Sequence, residues 1–148
     1  MIKKIYLDIC TFCRPFDDQR QIRIRMETDA YFLIIRAIEQ NLYRPVISPV
    51  HFAEIEAIKK LPEKLEMRGL LRRLKTKLSF NEEQVRDRTE ELISLNFGIA
   101  DAAHVAFAET ASDGFITCDD TLLRKCIKHK IAVPVFNPVE FALREKLK

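Results

Sequence analysis

The sequence predicts a helix-rich α/β domain built on a parallel sheet with helices on both faces. Three observations carry this. Short apolar runs of β character alternate with longer stretches in which apolar residues recur at helical spacing, and every parallel return needs a crossover long enough to hold a helix. The chain of 148 residues has the length of one domain able to bury its own core; no repeat and no Pro/Gly/Ser-rich linker divides it, so residues 1–148 are read as a single domain. Hydrophobic residues at 47% and charged residues at 32% are the balance of a folded globular chain, and only 3 glycines interrupt the helical stretches.

Element by element, Ile2 to Asp8 carries Ile5, Tyr6 and Leu7 ahead of an acid, the pattern of a buried strand with a polar carboxyl end. Asp29 to Leu42 places Tyr31, Leu33, Ile34, Ile35, Ala37 and Ile38 on helical spacing. Pro45 to Ser48 is a second short strand. Ser48-Pro49 then supplies a hydroxyl N-cap and a proline at the first helical position, which starts a helix running through Glu54 towards Lys60. Pro62 to Leu78 is a further helix, with Leu65, Leu70, Leu71, Leu74 and Leu78 as its core side. Asn81, with Gln84 where a capping box wants it, starts a helix to about Leu95. Ile99 to Thr110 is an Ala-rich helix. Gly114 to Cys118 and Ile131 to Phe136 are strands around a helix from Asp119 to Lys130, and Pro138 to Glu145 is the last helix.

Composition narrows the function. Lys plus Arg is 25 against 22 for Asp plus Glu, a formal net charge of +3, which argues against a surface that is basic all over but allows a local basic patch. Neither G-x-G-x-x-G nor G-x-x-x-x-G-K-[ST] occurs, so the common glycine-rich phosphate cradles are excluded. No apolar run approaches the roughly 18 residues of a membrane span, and the N-terminal segment has no small-residue cleavage site, so a cytoplasmic protein is expected.

In parallel α/β sheets, sites collect beyond the carboxyl ends of the strands. Four acids are expected there: Asp8 after the first strand, Glu54 on the helix following the second, Asp101 in the first turn of the Ala-rich helix, and Asp119 directly after Phe115-Ile116-Thr117-Cys118. Clustered carboxylates repel one another, and such a set is tolerable with raised pKa values or a bound cation. Hard divalent ions, Mg²⁺ or Mn²⁺, suit carboxylate oxygens and can activate water against a phosphodiester.

At these residues the chain resembles the PIN-domain family of metal-dependent ribonucleases, which includes the VapC-type toxins. The resemblance lies in Ile5-Tyr6-Leu7-Asp8, Ser48-Pro49-Val50-His51-Phe52-Ala53-Glu54, Ile99-Ala100-Asp101-Ala102-Ala103-His104-Val105-Ala106 and Phe115-Ile116-Thr117-Cys118-Asp119, in that order along nearly the whole chain. It implies a three-layer α/β/α sandwich and a Mg²⁺ or Mn²⁺ site of Asp8, Glu54, Asp101 and Asp119. The implied activity is endonucleolytic hydrolysis of RNA phosphodiesters, as in the toxin of a toxin–antitoxin pair. Asp8, Asp101 and Asp119 would hold the ion, Glu54 would ligate it or orient the attacking water, and Thr117 would position Asp119 or a phosphate. Asp120 is a substitute for Asp119. RNA, an antitoxin protein and a second copy in a homodimer are the partners the resemblance implies. The segment Arg14-Pro15-Phe16-Asp17-Asp18-Gln19 looks like a feature of a subgroup of the family, and the chain departs from the family at Cys10, where many members carry Asn, Ser or Thr.

Each of these residues also has a plainer reading. Asp8 and Asp119 suit helix N-caps, Asp101 suits the positive end of its helix, and Glu54 suits a solvated face. His104, three residues after Asp101, shares its helix face; it contacts phosphate, orients an acid, or is simply a buried histidine with its hydrogen bonds met. Cys10-Thr11-Phe12-Cys13 permits zinc or redox chemistry, but core packing is the commoner use of cysteine. The basic run from Lys59 to Lys77 and the arginines Arg14, Arg20, Arg23 and Arg25 are either phosphate contacts or solvated faces. A non-catalytic RNA-binding or scaffolding module of the same fold is the competing function. A phospho-receiver lacks its paired acids and its lysine here, and a haloacid-dehalogenase-type phosphatase would want an acid where Cys10 stands.

Overall fold

Every strand-to-strand connection in the chain runs through at least one helix. The computed structural model describes residues 1–148. β1 (Lys4–Leu7) leads through α1 (Ile9–Cys13), a 3₁₀ turn (Arg14–Phe16) and α2 (Ile22–Glu39) to β2 (Arg44–Pro45). Then α3 (Pro49–Glu56), α4 (Leu61–Leu74), α5 (Glu82–Ser94) and α6 (Ile99–Ala111) lead to β3 (Gly114–Ile116), α7 (Asp120–Lys128) to β4 (Val135–Phe136), and α8 (Pro138–Arg144) follows. The four strands form one sheet in the order β2-β1-β3-β4, parallel throughout.

Side-chain alternation along the two central strands divides the core. Ile5 and Leu7 of β1 and Ile116 of β3 face one layer, where Phe12, Tyr31, Ile34, Ile38, Ile55, Met67, Leu71 and Phe141 cover them from α1, α2, α3, α4 and α8. Tyr6 and Phe115, one residue out of step, face the other, where Val85, Leu92, Val105, Phe107, Leu122 and Cys126 pack from α5, α6 and α7. The result is a three-layer α/β/α sandwich. Each large apolar side chain taken fully out of water here contributes about 1.5–3 kcal/mol, so the pleat of two short strands commits most of the hydrophobic energy of the fold.

Element boundaries differ from the periodicity at identifiable places. α2 begins at Ile22, a full seven residues before the apolar pattern starts, because its first turns are exposed at Ile22, Arg23, Arg25 and Met26 and leave no stripe to read. β2 pairs with β1 over only Arg44 and Pro45; Val46 and Ile47 are buried beyond the ladder. On α4 the buried residues are Met67 and Leu71, four apart, so Leu65 lies off that face and is 52% exposed, while Leu78 follows the end of the helix. α5 starts as expected, with the Asn81 side chain accepting from the Gln84 N–H at 3.0 Å. With glycine scarce, asparagines take the left-handed positions that close two helices: Asn41 (φ 61°) after α2 and Asn96 (φ 73°) after α5. No helix is long and apolar enough to cross a membrane.

Candidate metal centre

The last paired register of the central strands is Leu7 with Ile116, so the next residues of both chains, Asp8 and Thr117, emerge side by side at the carboxyl end of the sheet. The Asp8 N–H still donates to the Ile116 carbonyl at 2.8 Å, which anchors its backbone to the ladder. Its side chain is almost entirely enclosed, 4% of the residue being exposed. Oδ1 accepts from the Ile9 N–H at 2.7 Å, and Oδ2 accepts from the Thr117 hydroxyl at 2.9 Å and the Cys10 thiol at 3.3 Å. Thr117 in turn accepts from the Asp119 N–H at 3.1 Å. One hydroxyl therefore fixes the first acid and the backbone of the last.

Glu54 reaches the same place from α3 and His104 from α6. His104 is fully buried; its Nε2 is hydrogen-bonded to Glu54 Oε1 and lies 3.6 Å from Asp8 Oδ1. One ligand atom from each of Asp8, Glu54 and His104 falls within 4.8 Å of the others. Asp101, in the first turn of α6, completes the acidic field. Burial pushes its carboxyl up, the charges of Asp8, Asp119 and Glu54 push it further, and His104 opposes them; the outcome is a pKa of about 6. Asp119 is exposed and caps α7, its Oδ1 accepting from the Thr121 and Leu122 N–H groups at 2.9 and 3.1 Å. Its plainer reading is thus realised for one oxygen, while its charge is still felt at Asp101.

Behind His104 runs a buried polar chain. Nδ1 of His104 is 2.5 Å from the Tyr6 hydroxyl, which is 2.6 Å from Ser48 Oγ, which is 3.3 Å from Nδ1 of His51. The Ser48 N–H donates to the same Nδ1 at 3.0 Å and Nε2 of His51 faces the Leu7 carbonyl at 2.7 Å. A carbonyl only accepts, so the His51 proton is on Nε2. Burial, and the nearness of His104, push the His51 pKa down to about 3, which keeps the ring neutral. Burial likewise drives the Tyr6 phenol well above its ordinary value.

The remaining candidates lie elsewhere. Arg14 is held by Glu27, its Nε and a terminal nitrogen donating to Oε1 at 3.1 and 2.8 Å, and by Asp17 at 2.9 Å. Asp120 is exposed to solvent and clasped by Arg23 at 2.5 and 2.6 Å. Arg20 pairs with Asp18. Of the basic run, Lys64 and Arg68 pair with Glu56, Lys75 sits over the Phe52 ring, and Lys59, Arg72, Arg73 and Lys77 are exposed outside these contacts. The Cys13 thiol is pushed up to about 11 by burial and nearby acids, the opposite of what a reactive pair needs. Cys10 does supply a hydrogen bond at the position where the family resemblance breaks.

Three members of the centre are invisible as chemistry in the sequence. Tyr6 hides in an apolar strand, Ser48 reads as a helix cap, and His51 reads as helix. The one available signal is the Ser48-x-x-His51 spacing, in which a histidine occupies the position of a capping-box acid and takes the Ser48 N–H. No family model, curated protein or solved structure matches the chain.

Proposed function

We propose that the protein is a Mg²⁺- or Mn²⁺-dependent endoribonuclease of the PIN type. The observation that supports the reading is the meeting of Asp8, Glu54 and His104 within 4.8 Å at one end of a parallel sheet, with Asp101 near enough to feel the charges of Asp8, Glu54 and Asp119 and no arginine or lysine among the hydrogen-bond partners of these acids. Uncompensated carboxylates at this density are the donor set of a hard divalent cation, and the raised Asp101 fits it, since a cation would relieve the repulsion that protonation now relieves. Asp8, Glu54 and Asp101 would hold the ion. When bound, such an ion polarises a phosphoryl oxygen and lowers the pKa of a water. Thr117 keeps the Asp8 carboxylate aimed into the site, and Asp119, fixed through Thr117 and its cap, holds negative charge at the rim. Arg73 and Lys77 border Lys4 and Arg44 at the amino ends of β1 and β2, the edge of the sheet opposite Asp8, so the basic run does not line this site.

The test is a mixed-sequence RNA incubated with the purified protein and Mn²⁺ or Mg²⁺, beside Asp101→Asn. Cleavage by the wild type that needs the metal, and that drops by more than about a hundredfold in the variant, is expected. RNA retained but uncut at every Mn²⁺ concentration would overturn the reading in favour of a non-catalytic RNA-binding module.

A further inference from the structure

Of the three residues whose ligand atoms meet at the site, His104 is the one that an all-carboxylate centre has no use for, yet it is fully buried, at 0% exposure against 4% for Asp8. Its surroundings determine where its proton sits. Nε2 faces Glu54 and, at 3.6 Å, Asp8, both of which accept; it therefore carries hydrogen and donates. In the neutral ring Nδ1 is then the acceptor, taking the Tyr6 O–H, and Tyr6 takes the Ser48 O–H. Three donors of the centre are thus gathered around a single proton, in the place a cation would occupy.

The same chain of groups can run the other way, with only the His104–Glu54 hydrogen bond given up. If the His104 proton moves to Nδ1, that N–H donates to Tyr6, the Tyr6 O–H turns to Ser48 Oγ at 2.6 Å, and the Ser48 O–H turns to Nδ1 of His51 at 3.3 Å. His51 can receive it, sharing the Nδ1 lone pair with the Ser48 N–H at 3.0 Å, because its own proton is committed to the Leu7 carbonyl at 2.7 Å. The reversal takes two hydroxyl rotations and one change of tautomer, gains and loses no proton, and leaves Nε2 with a free lone pair facing Asp8 and Glu54. A ring nitrogen held by a hydrogen bond from its other N–H is the arrangement that metal-ligating histidines require.

We propose that His104 is a nitrogen ligand of the cation, beside Asp8 and Glu54, and that the centre consequently favours Mn²⁺ and Zn²⁺ over Mg²⁺. The inference rests on the cation-binding reading above and adds a ligand to it. Imidazole suits the later transition ions, whereas Mg²⁺ prefers oxygen and water. Glu54 gives up its hydrogen bond to His104 in the process and turns its carboxylate to the ion instead.

The experiment is pulsed electron paramagnetic resonance of Mn²⁺ bound to the full chain, prepared with natural-abundance and with ¹⁵N-labelled histidine, beside calorimetric titration of Mn²⁺ and Mg²⁺. Nitrogen modulation that changes with the label and is absent from His104→Gln is expected. Mn²⁺ affinity should fall by about tenfold or more in His104→Gln, with a much smaller change for Mg²⁺, and by about 10–100-fold in Tyr6→Phe, which removes the group that orients the ring. If His104→Gln does not fold, the labelled wild type decides alone. Mn²⁺ that binds through oxygen only, with affinity lost in Asp101→Asn but kept in His104→Gln, would overturn the nitrogen ligand and leave the metal-dependent nuclease standing. A wild type that takes up neither cation would overturn both.

Discussion

The two buried acids of the fold, Asp8 and Glu27, sit in polar clusters built on opposite electrostatic plans. At the carboxyl end of the sheet, Asp8 is enclosed with neutral donors (a backbone N–H, Thr117 and Cys10) and with His104 between it and Glu54. Between α2 and the 3₁₀ turn, Glu27 is 1% exposed and held by two arginines, Arg14 at 2.8 Å and Arg23 at 3.5 Å, with Arg23 also clasping Asp120. The second cluster neutralises its own charge. The first has no arginine or lysine partner, the difference expected between an acid that holds the fold together and the metal ligand proposed above. Of the arginines following the first strand, candidates for a substrate groove in the sequence, Arg14 and Arg23 are occupied in the second cluster and Arg20 by Asp18, while Arg25 makes no ion pair.

The sharpest way to break the comparison is to remove one acid from each cluster. Asp8→Asn is expected to lose metal-dependent RNA cleavage by more than about a hundredfold while the chain still unfolds cooperatively in urea. Glu27→Ala should do the reverse. It leaves Arg14 with Asp17 as its remaining ion-pair partner and is expected to cost about 1.5–3 kcal/mol in the same urea titration, with the response to Mn²⁺ kept in whatever fraction remains folded. A Glu27→Ala protein as stable as the wild type would show that the pair contributes nothing. The orphaned Glu27 Oε2, buried without a hydrogen-bond partner, points to a pair that is imperfectly compensated.

Next in size is the response to the cation itself. In a thermal melt, Mn²⁺ at a hundredfold excess over Kd should stabilise the wild type by about 2.7 kcal/mol, and Asp101→Asn by much less. Absence of any shift in the wild type would mean that the uncompensated cluster is not a cation site.

A smaller effect follows from pH. Asp101 titrates near 6 in the folded, metal-free protein, against an ordinary value of 3.8. Its proton is bound more tightly folded than unfolded, so the contribution it makes to stability is complete below about pH 4 and is lost as pH rises to about 6. Asp101→Asn removes this loss. Melts of the metal-free proteins should therefore show the variant gaining on the wild type between pH 4 and pH 6 and holding that advantage at pH 7; a constant difference across the range would contradict the assignment. The smallest effect belongs to the exposed arm of the second cluster: Arg23→Ala should change stability by no more than about 1 kcal/mol, since both it and Asp120 are close to half exposed.

Much of this was legible in one dimension, and the reasons are local. Alternation in Ile5-Tyr6-Leu7 identified a buried strand, and Ser48-Pro49 and Asn81 identified helix starts, because each pattern is set by a periodicity or a cap within a few residues. Asp8 and Asp119 are legible because each lies just past a strand end in a parallel α/β chain; Glu54, on α3, and Asp101, in the first turn of α6 after α5, rest on the family resemblance instead. The apolar pattern places Leu65 in the core and leaves out the first turns of α2, whereas the structure exposes Leu65 and starts the helix at Ile22, because exposure of one helix face depends on what packs against it.

What the sequence by itself determined is the layered parallel fold and the identity of the acids gathered at one edge. What only the tertiary structure decided is which polar groups meet: that Tyr6, Ser48, His51 and His104, spread over 98 residues of chain, form one hydrogen-bonded line behind Glu54, and that Arg14 and Asp120 are drawn into ion pairs. The physical reason is range. Periodicity and capping act along the backbone, but a buried hydrogen bond is formed by whichever donor and acceptor the packed layers bring within about 3 Å, and no spacing in the sequence encodes that.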